Sequence, residues 1–231
     1  MGKDKLKRFA EVETFDNVFQ PSFDDINKDF RLKDKWNKEF NNNNPIVLEL
    51  GCGRGEYTVG LAKQFPNKNF IGIDIKGSRI WRGAKTCVEE NIDNVRFIRT
   101  KIDFIEKFFA NNEINEIWLT FSDPQPKRPR KRLTSPLFIN RYKNILNKKG
   151  VINIKTDSSL LYNYTLDEIK NNNYTILENS SDIYNELINR ANNELISKIN
   201  IKTFYEQKWL EEEKKIKFIS FMINNLFFIS N

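Results

Sequence analysis

Ile46-Val-Leu-Glu-Leu-Gly-Cys-Gly-Arg-Gly55 is the stretch whose reading decides the fold. An apolar run carries one carboxylate and enters three glycines placed at every second position. Such a run reads as a buried strand ending in a turn where backbone must approach a ligand closely. A helical pattern follows over Glu56 to Phe65, with Leu61 and Phe65 on one face. The next apolar run, Phe70-Ile-Gly-Ile-Asp74, ends in an acid roughly twenty residues after the glycines, where an acid meets a ribose in a dinucleotide-type βαβ unit.

A lone glycine triplet is equally a tight turn. The order strand, glycines, helix, strand and acid is what points to a ligand. The spacing is G-x-G-x-G rather than G-x-G-x-x-G, and Glu49 stands two residues before the first glycine. A carboxylate there would repel a pyrophosphate but would hold a cation or accept a hydrogen bond from an ammonium. S-adenosylmethionine has an amino acid moiety, a sulfonium and a ribose, and no phosphate. It suits Glu49 and Asp74 better than a nicotinamide dinucleotide does. The expected ligand contacts are Glu49, Gly51, Gly53, Gly55 and Asp74.

At 231 residues the chain suits one α/β domain with a decorated edge. Lys and Arg number 38 against 31 Asp and Glu, a net charge of +7. That balance favours a polyanionic partner. Asn, Lys and Ile are used heavily throughout, so local clusters carry more weight than the total. The chain has no histidine, which excludes Ser-His and Cys-His nucleophilic schemes and the usual zinc sites. Cys52 and Cys87 are far apart, which argues against a disulfide framework and for a reducing, cytoplasmic setting. Cys52 lies in the glycine loop, where it is either a reactive thiol or simply a small residue. Met1 to Arg8 lacks the apolar core of a signal peptide, and no window is long enough to span a bilayer. The apolar tail Leu226-Phe-Phe-Ile229 is far too short.

Residues 1–44 read as an N-terminal extension whose aromatics (Phe15, Phe19, Phe23, Phe30, Trp36) cover a sheet, with Asn41 to Asn44 as a linker. Residues 45–231 form the main domain. Helices are expected over Ser78 to Asn91 with Ser78 as cap, Ile105 to Asn111, Pro136 to Leu146 with Gly150 as the stop, Leu160 to Lys170, and Phe204 to Glu213. Further strands are expected over Val95 to Ile98, Ile114 to Phe121, Val151 to Thr156, Tyr174 to Glu178 and Ile216 to Ile223. Residues 179–200 read as irregular surface. Strands alternating with helices imply a mostly parallel, doubly wound sheet.

Ligands bind such sheets outside the carboxyl ends of the strands. Glu49, Asp74, Asp103, Asp123 and Asp157 all fall there, a set hard to ascribe to core packing. Lys127-Arg-Pro-Arg-Lys-Arg132 follows Asp123 directly, with five cations in six residues. Pro129 keeps a helix from running through it, so it reads as an exposed loop at the ligand end. Cations on that rim would hold a nucleic-acid backbone, with binding that weakens steeply in salt. Acids inside would hold a base, since guanine presents N1–H and an exocyclic amine as donors. A solvated loop is the bland alternative.

The chain resembles the bacterial tRNA (guanine-N7)-methyltransferase family, of the class I S-adenosylmethionine-dependent, Rossmann-like fold. The residues that carry the resemblance are Glu49-Leu-Gly-Cys-Gly-Arg-Gly55, Ile73-Asp-Ile-Lys76, Phe121-Ser-Asp-Pro-Gln-Pro-Lys127, Lys155-Thr-Asp157 and Thr203-Phe-Tyr-Glu206. It extends from about residue 46 to 223. It implies an antiparallel last strand, cofactor contacts from Glu49, Asp74 and Asp123, and a substrate guanine at Lys127, Asp157, Thr203, Phe204, Tyr205 and Glu206. tRNA is the implied partner, with no membrane and no metal, as a monomer or homodimer. Gln125 stands where the family commonly has tryptophan, and Lys101 where many members have an acid. The third cofactor contact is therefore expected at Ile102 and Asp103. Thr203 with Glu206 also matches a capping box. Two other readings stay open: a methyltransferase on another nucleic-acid target, and an inactive RNA-binding module.

N7 of guanine carries a free lone pair, so no base is needed to unmask it, in keeping with the absent histidine. Asp123 is the residue expected to position the base and the methyl donor. Arg130, Lys131 and Arg132 are expected on phosphates.

Overall fold

A computed structural model describes residues 2–223, with the side chains of residues 2–5, 23 and 26 left aside. The apolar tail at 226–229 lies outside the described residues. Eight strands form one sheet: β1 (Val18–Phe19), β2 (Ile46–Leu50), β3 (Asn69–Asp74), β4 (Val95–Arg99), β5 (Ile114–Thr120), β6 (Leu146–Thr156), β7 (Thr175–Ser180) and β8 (Lys217–Met222). Their order is β1-β4-β3-β2-β5-β6-β8-β7. β1 to β6 pair in parallel, and β8 runs antiparallel between β6 and β7. β3 and β4 lie on one side of β2, and β5 and β6 on the other, so the strand order reverses between β2 and β5. That is the switch point at which open α/β sheets bind ligands.

The helices are α1 (Gly2–Val12), α2 (Phe23–Asn27), α3 (Trp36–Glu39), α4 (Glu56–Gln64), α5 (Gly77–Glu89), α6 (Pro136–Ile145), α7 (Ser159–Asn171), α8 (Asn193–Ile199) and α9 (Phe204–Glu211). Both sheet faces are covered, which is why the inner strands read as continuous apolar runs. Leu48, Leu50, Ile71, Ile73, Ile117 and Ile154 face one buried cluster, and Val47, Phe70, Phe97 and Trp118 face the other. Each such side chain contributes about 1.5–3 kcal/mol by leaving water.

The N-terminal segment is built into the domain. β1 extends the sheet beside β4. Phe19 and Phe30 pack around Trp36, which is fully buried and donates its indole N–H to the Phe108 carbonyl at 3.0 Å. The Asn41 to Asn44 stretch is held rather than loose: the Asn69 amide donates to Asn42 Oδ1 at 2.7 Å.

Several local expectations change. Residues 102–107 form one stretch of 3₁₀-helix where a helix was expected over 105–111. α5 opens at Gly77 with no side-chain cap, so Ser78 does not cap it. α6 stops at Ile145 because Leu146 already enters β6 beside Ile114. Residues 179–200 are not irregular surface: they hold the end of β7 and all of α8, and they bury Ile183, Leu187 and Ile199.

Candidate active site

β2 delivers Glu49 and then the glycine loop. Gly51 (φ 82°) and Gly53 (φ 56°) are left-handed, and a Cβ added at either would project into open space. The sequence needs glycine there for backbone geometry, and the room above the loop is what a ligand would fill. Gly55 (φ 71°) opens α4, and its Cβ would strike the Phe97 ring at 2.7 Å.

Glu49 is buried beneath this loop. Oε2 accepts the Thr58 backbone N–H at 2.9 Å and the Thr58 hydroxyl, and Oε1 accepts the Thr120 hydroxyl. Burial pushes its pKa up to about 7, against the pull of those hydrogen bonds and helped by nearby Asp74. Asp74, at the end of β3, accepts the Gly53 N–H at 2.9 Å and the Lys76 N–H at 2.8 Å, so it shapes the loop. Burial, with Glu49 and Asp74 adding to it, raises the Cys52 thiol well above its ordinary range. A reactive cysteine is therefore excluded here.

Two hollows meet at Gly51. One, of about 670 Å³, is floored by Glu49 and the glycine loop and walled by Thr120, Thr203, Tyr205 and Trp209. The other, of about 350 Å³, holds Asp74, Thr100, Ile102, Asp103, Lys131 and Phe138. Two buried hydroxyls at this end of the sheet, Thr100 Oγ1 and Ser122 Oγ, have no hydrogen-bond partner. Buried polar atoms are rarely left so. A ligand that is cationic near Glu49 and hydroxylated near Asp74 and Thr100 would suit these groups. No cluster of three or more potential metal-ligating side chains occurs among the described residues.

Asp123 is exposed in the loop after β5; Phe121 before it lines the larger hollow and Gln125 after it lines the smaller one. Phe121 (φ 50°) and Gln125 (φ 45°) bracket it in left-handed backbone. Such conformations cost about 1–3 kcal/mol each in a side-chain-bearing residue. The Gln125 N–H donates to Asp123 Oδ1 at 2.9 Å and holds the bend. The loop then makes one 3₁₀ turn over Pro129–Lys131. Lys127 and Arg130 are exposed, and Lys131 lies 3.9 Å from Asp103.

Two expected contact residues are turned elsewhere. Arg132 is only 6% exposed; it donates Nε–H to the Pro124 carbonyl at 2.9 Å and lies over the Tyr164 ring. It pins the loop rather than meeting phosphate. Glu206 is fully buried between Lys155 Nζ at 2.8 Å and the Tyr184 hydroxyl at 2.7 Å. Lys155, also 0% exposed, further donates to the Ile199 and Ile201 carbonyls. Burial lowers the Lys155 ammonium to about 8, with Glu206 opposing. The pair fastens β6 to the α8–α9 connection, and so sets the wall that carries Thr203 and Tyr205. Thr203 caps α9 by accepting the Glu206 N–H, but Glu206 does not return the bond, so only half of a capping box forms. Asp157, just after β6, is half-buried and lines neither hollow. Phe204 is exposed under the Arg54 guanidinium, and its N–H donates to Glu56 at 2.8 Å.

Sequence reasoning missed Arg54, Arg79, Arg82, Thr120 and Trp209, all of which line the larger hollow. Of these only Arg54, inside the glycine loop, carried a local signal.

Solved structures that share this architecture include methyltransferases. The 16S rRNA methyltransferase KamB matches with a TM-score of 0.61 at 11% identity, over 83% of this chain and 93% of that one. An antibiotic-related methyltransferase matches at 0.58 and 16% identity, over 81% and 92%. The fold is thus that of a class I, Rossmann-like methyltransferase. Residues 43–219 match the family model described as "Putative methyltransferase". Proteins named tRNA (guanine-N(7)-)-methyltransferase are similar over nearly the whole chain. That of Christiangramia forsetii is 52% identical, covering 96% of this chain and 98% of its own. That of Bacteroides fragilis is 47% identical, covering 96% and 87%. The chain belongs to the tRNA (guanine-N(7)-)-methyltransferase family.

Proposed function

We propose that this protein transfers a methyl group from S-adenosylmethionine to N7 of a guanine in tRNA, in the variable loop. The observation that carries this reading is the paired hollow at Gly51, with Glu49 and Asp74 inside and cations on its lip. Glu49 and the glycine loop would hold the amino acid end of the cofactor. Asp74, Thr100 and Ile102 would hold the ribose and adenine. When bound, the cofactor supplies an electrophilic methyl group on a sulfonium.

The protein's own work is placement. N7 needs no deprotonation, so no group in the site has to act as a base. Holding N7 in line with the methyl is worth several kcal/mol by orientation alone. Asp123 orients the base at the junction of the hollows, with the strained backbone around it fixing its direction. Thr203 and Tyr205 form the opposite wall, and Asp157 accepts from guanine donors. Lys127 and Arg130 contact phosphate or O6. Glu206 acts through Lys155, holding that wall in place, and does not itself meet guanine. Turning the base out of its stack costs a few kcal/mol, which phosphate contacts at the rim offset.

Residues 45–231 constitute the methyltransferase domain in this reading, with residues 1–44 as an extension packed on it, working in the cytoplasm. No helix among the described residues is long and apolar enough to cross a membrane. Incubating unmodified bulk tRNA with protein and methyl-labelled cofactor tests the activity. The label should appear in 7-methylguanosine on nucleoside analysis; label in another nucleoside, or none, refutes the proposal.

A further inference from the structure

The larger hollow has a cationic wall of its own, while Arg128 and Lys131 of the basic loop line the smaller one. Arg79 and Arg82, three apart in the first turns of α5, line it together with Arg8 and Arg54. Residues three apart on a helix are neighbours, and like charges there destabilise it slightly. Nothing described offsets that repulsion: the Arg79 and Arg82 guanidinium groups make no hydrogen bond or ion pair with any described residue. Five other arginines are engaged. Arg96, Arg99, Arg132, Arg141 and Arg190 each donate to a carboxylate, an amide oxygen or a backbone carbonyl. On α5 itself Lys85 is paired with Glu11 at 2.7 Å, and Glu11 also accepts the Trp81 indole N–H at 2.7 Å. Arg79 and Arg82 are both exposed, while Arg8 and Arg54 lie over the Trp81 and Phe204 rings.

Among the described residues, the acids lining that hollow are Glu49, which is buried and hydrogen-bonded, and Glu56, which accepts the Phe204 N–H. The cofactor brings a single carboxylate, and Arg54 in the glycine loop lies beside where it would sit. Arg79 and Arg82 therefore face the hollow with no anionic partner among the described residues. A nucleotide turned out of its stack brings its two flanking phosphates to the mouth of the pocket that receives it. Planar guanidinium groups match phosphate oxygens in pairs.

We infer that Arg79 and Arg82 grip the phosphodiester strand on one side of the target nucleotide, opposite the loop at 127–131. The inference rests on RNA being the substrate. The sugar-phosphate backbone then crosses the mouth from one cationic wall to the other while the base descends between Tyr205 and Asp123.

The test uses the full chain, an unmodified tRNA transcript and three proteins: wild type, Arg79→Gln/Arg82→Gln, and Lys148→Gln/Lys149→Gln. Lys148 and Lys149 are exposed near the start of β6, at the opposite end of the strands, and the control removes the same charge there. Affinity for tRNA is measured across a salt series, and S-adenosylmethionine binding by calorimetry. Losing two phosphate contacts should lower the slope of log K on log salt by roughly 1.4–1.8 in magnitude. Wild type then loses about seven- to twelvefold more affinity than the arginine variant between about 50 and 200 mM salt. The control should keep the wild-type slope, and all three should bind the cofactor alike. An unchanged slope in the arginine variant overturns the inference, as does an equal fall in the control. Loss of cofactor binding in the arginine variant overturns it too, by assigning the pair to the cofactor carboxylate. If wild type itself shows no salt-dependent tRNA binding, the substrate reading fails instead.

Discussion

Glu49 should make cofactor binding depend on pH in a way that its removal abolishes. Its carboxyl is buried below the glycine loop with a pKa raised to about 7, burial being the main cause. A cationic ligand binds the ionised form, so binding must displace the proton that Glu49 holds on the acid side of that value. The apparent dissociation constant then scales as one plus the ratio of protonated to ionised carboxyl. At pH 6 about one molecule in eleven is ionised, and at pH 7.5 about three in four, which gives roughly an eightfold gain in affinity across that window. Above it the ligand's own α-amino group begins to titrate, so pH 6 to 7.5 is the informative range. Calorimetry in two buffers of different ionisation enthalpy reads both the affinity and the proton released, close to one per ligand at pH 6. Glu49→Gln should bind more weakly and show no such gain. An affinity flat from pH 6 to 7.5, or a gain that survives in Glu49→Gln, refutes the placement of Glu49 against the ligand's positive charge.

The same residue has an opposite effect on the ligand-free protein. The folded state keeps the Glu49 proton between pH 4.5 and about 7, where the unfolded chain releases it, so stability falls as pH rises through that window; thermal scans should show wild type losing ground to Glu49→Gln from pH 5 to 7. Lys155→Met should destabilise by about 3–5 kcal/mol in denaturant titrations, because it leaves Glu206 buried and unpaired, and adding Glu206→Leu should restore much of the loss. A fully additive double variant would show that the two do not act as a pair. Asp123→Ala, at an exposed position, should abolish turnover with tRNA binding largely intact; turnover close to wild type would remove Asp123 from the site.

The parts of the site that were legible in the sequence are those set by local backbone demands. Glycines at Gly51 and Gly53, an acid at the end of each central strand, and a cationic run broken by Pro129 declare themselves by spacing, because each serves geometry within a few residues. The direction of a side chain in three dimensions does not. Glu206 stands three residues after a capping threonine whether it turns back to that cap or inward, and what turns it inward is Lys155, a strand residue remote in sequence. Arg132 looks like its neighbours in the basic run, but a carbonyl at Pro124 and the ring of Tyr164 draw it under the loop. The 179–200 stretch was misread for a related reason: Ile183, Leu187 and Ile199 are too sparse among Ser, Asn and Glu to announce a core contact. Arg79 and Arg82 look like any solvated helix face until the hollow beside them is seen.

In the proposed reaction the strand ends on either side of Gly51 bring a methyl donor and a tRNA guanine together. Nucleotide-resolution mapping of 7-methylguanosine, on tRNA incubated with cofactor and either wild type or Asp123→Ala, tests it most directly. The account predicts one modified guanine, in the variable loop, with wild type and none with the variant. Methylation at some other atom or region, or equal modification by both proteins, would contradict it.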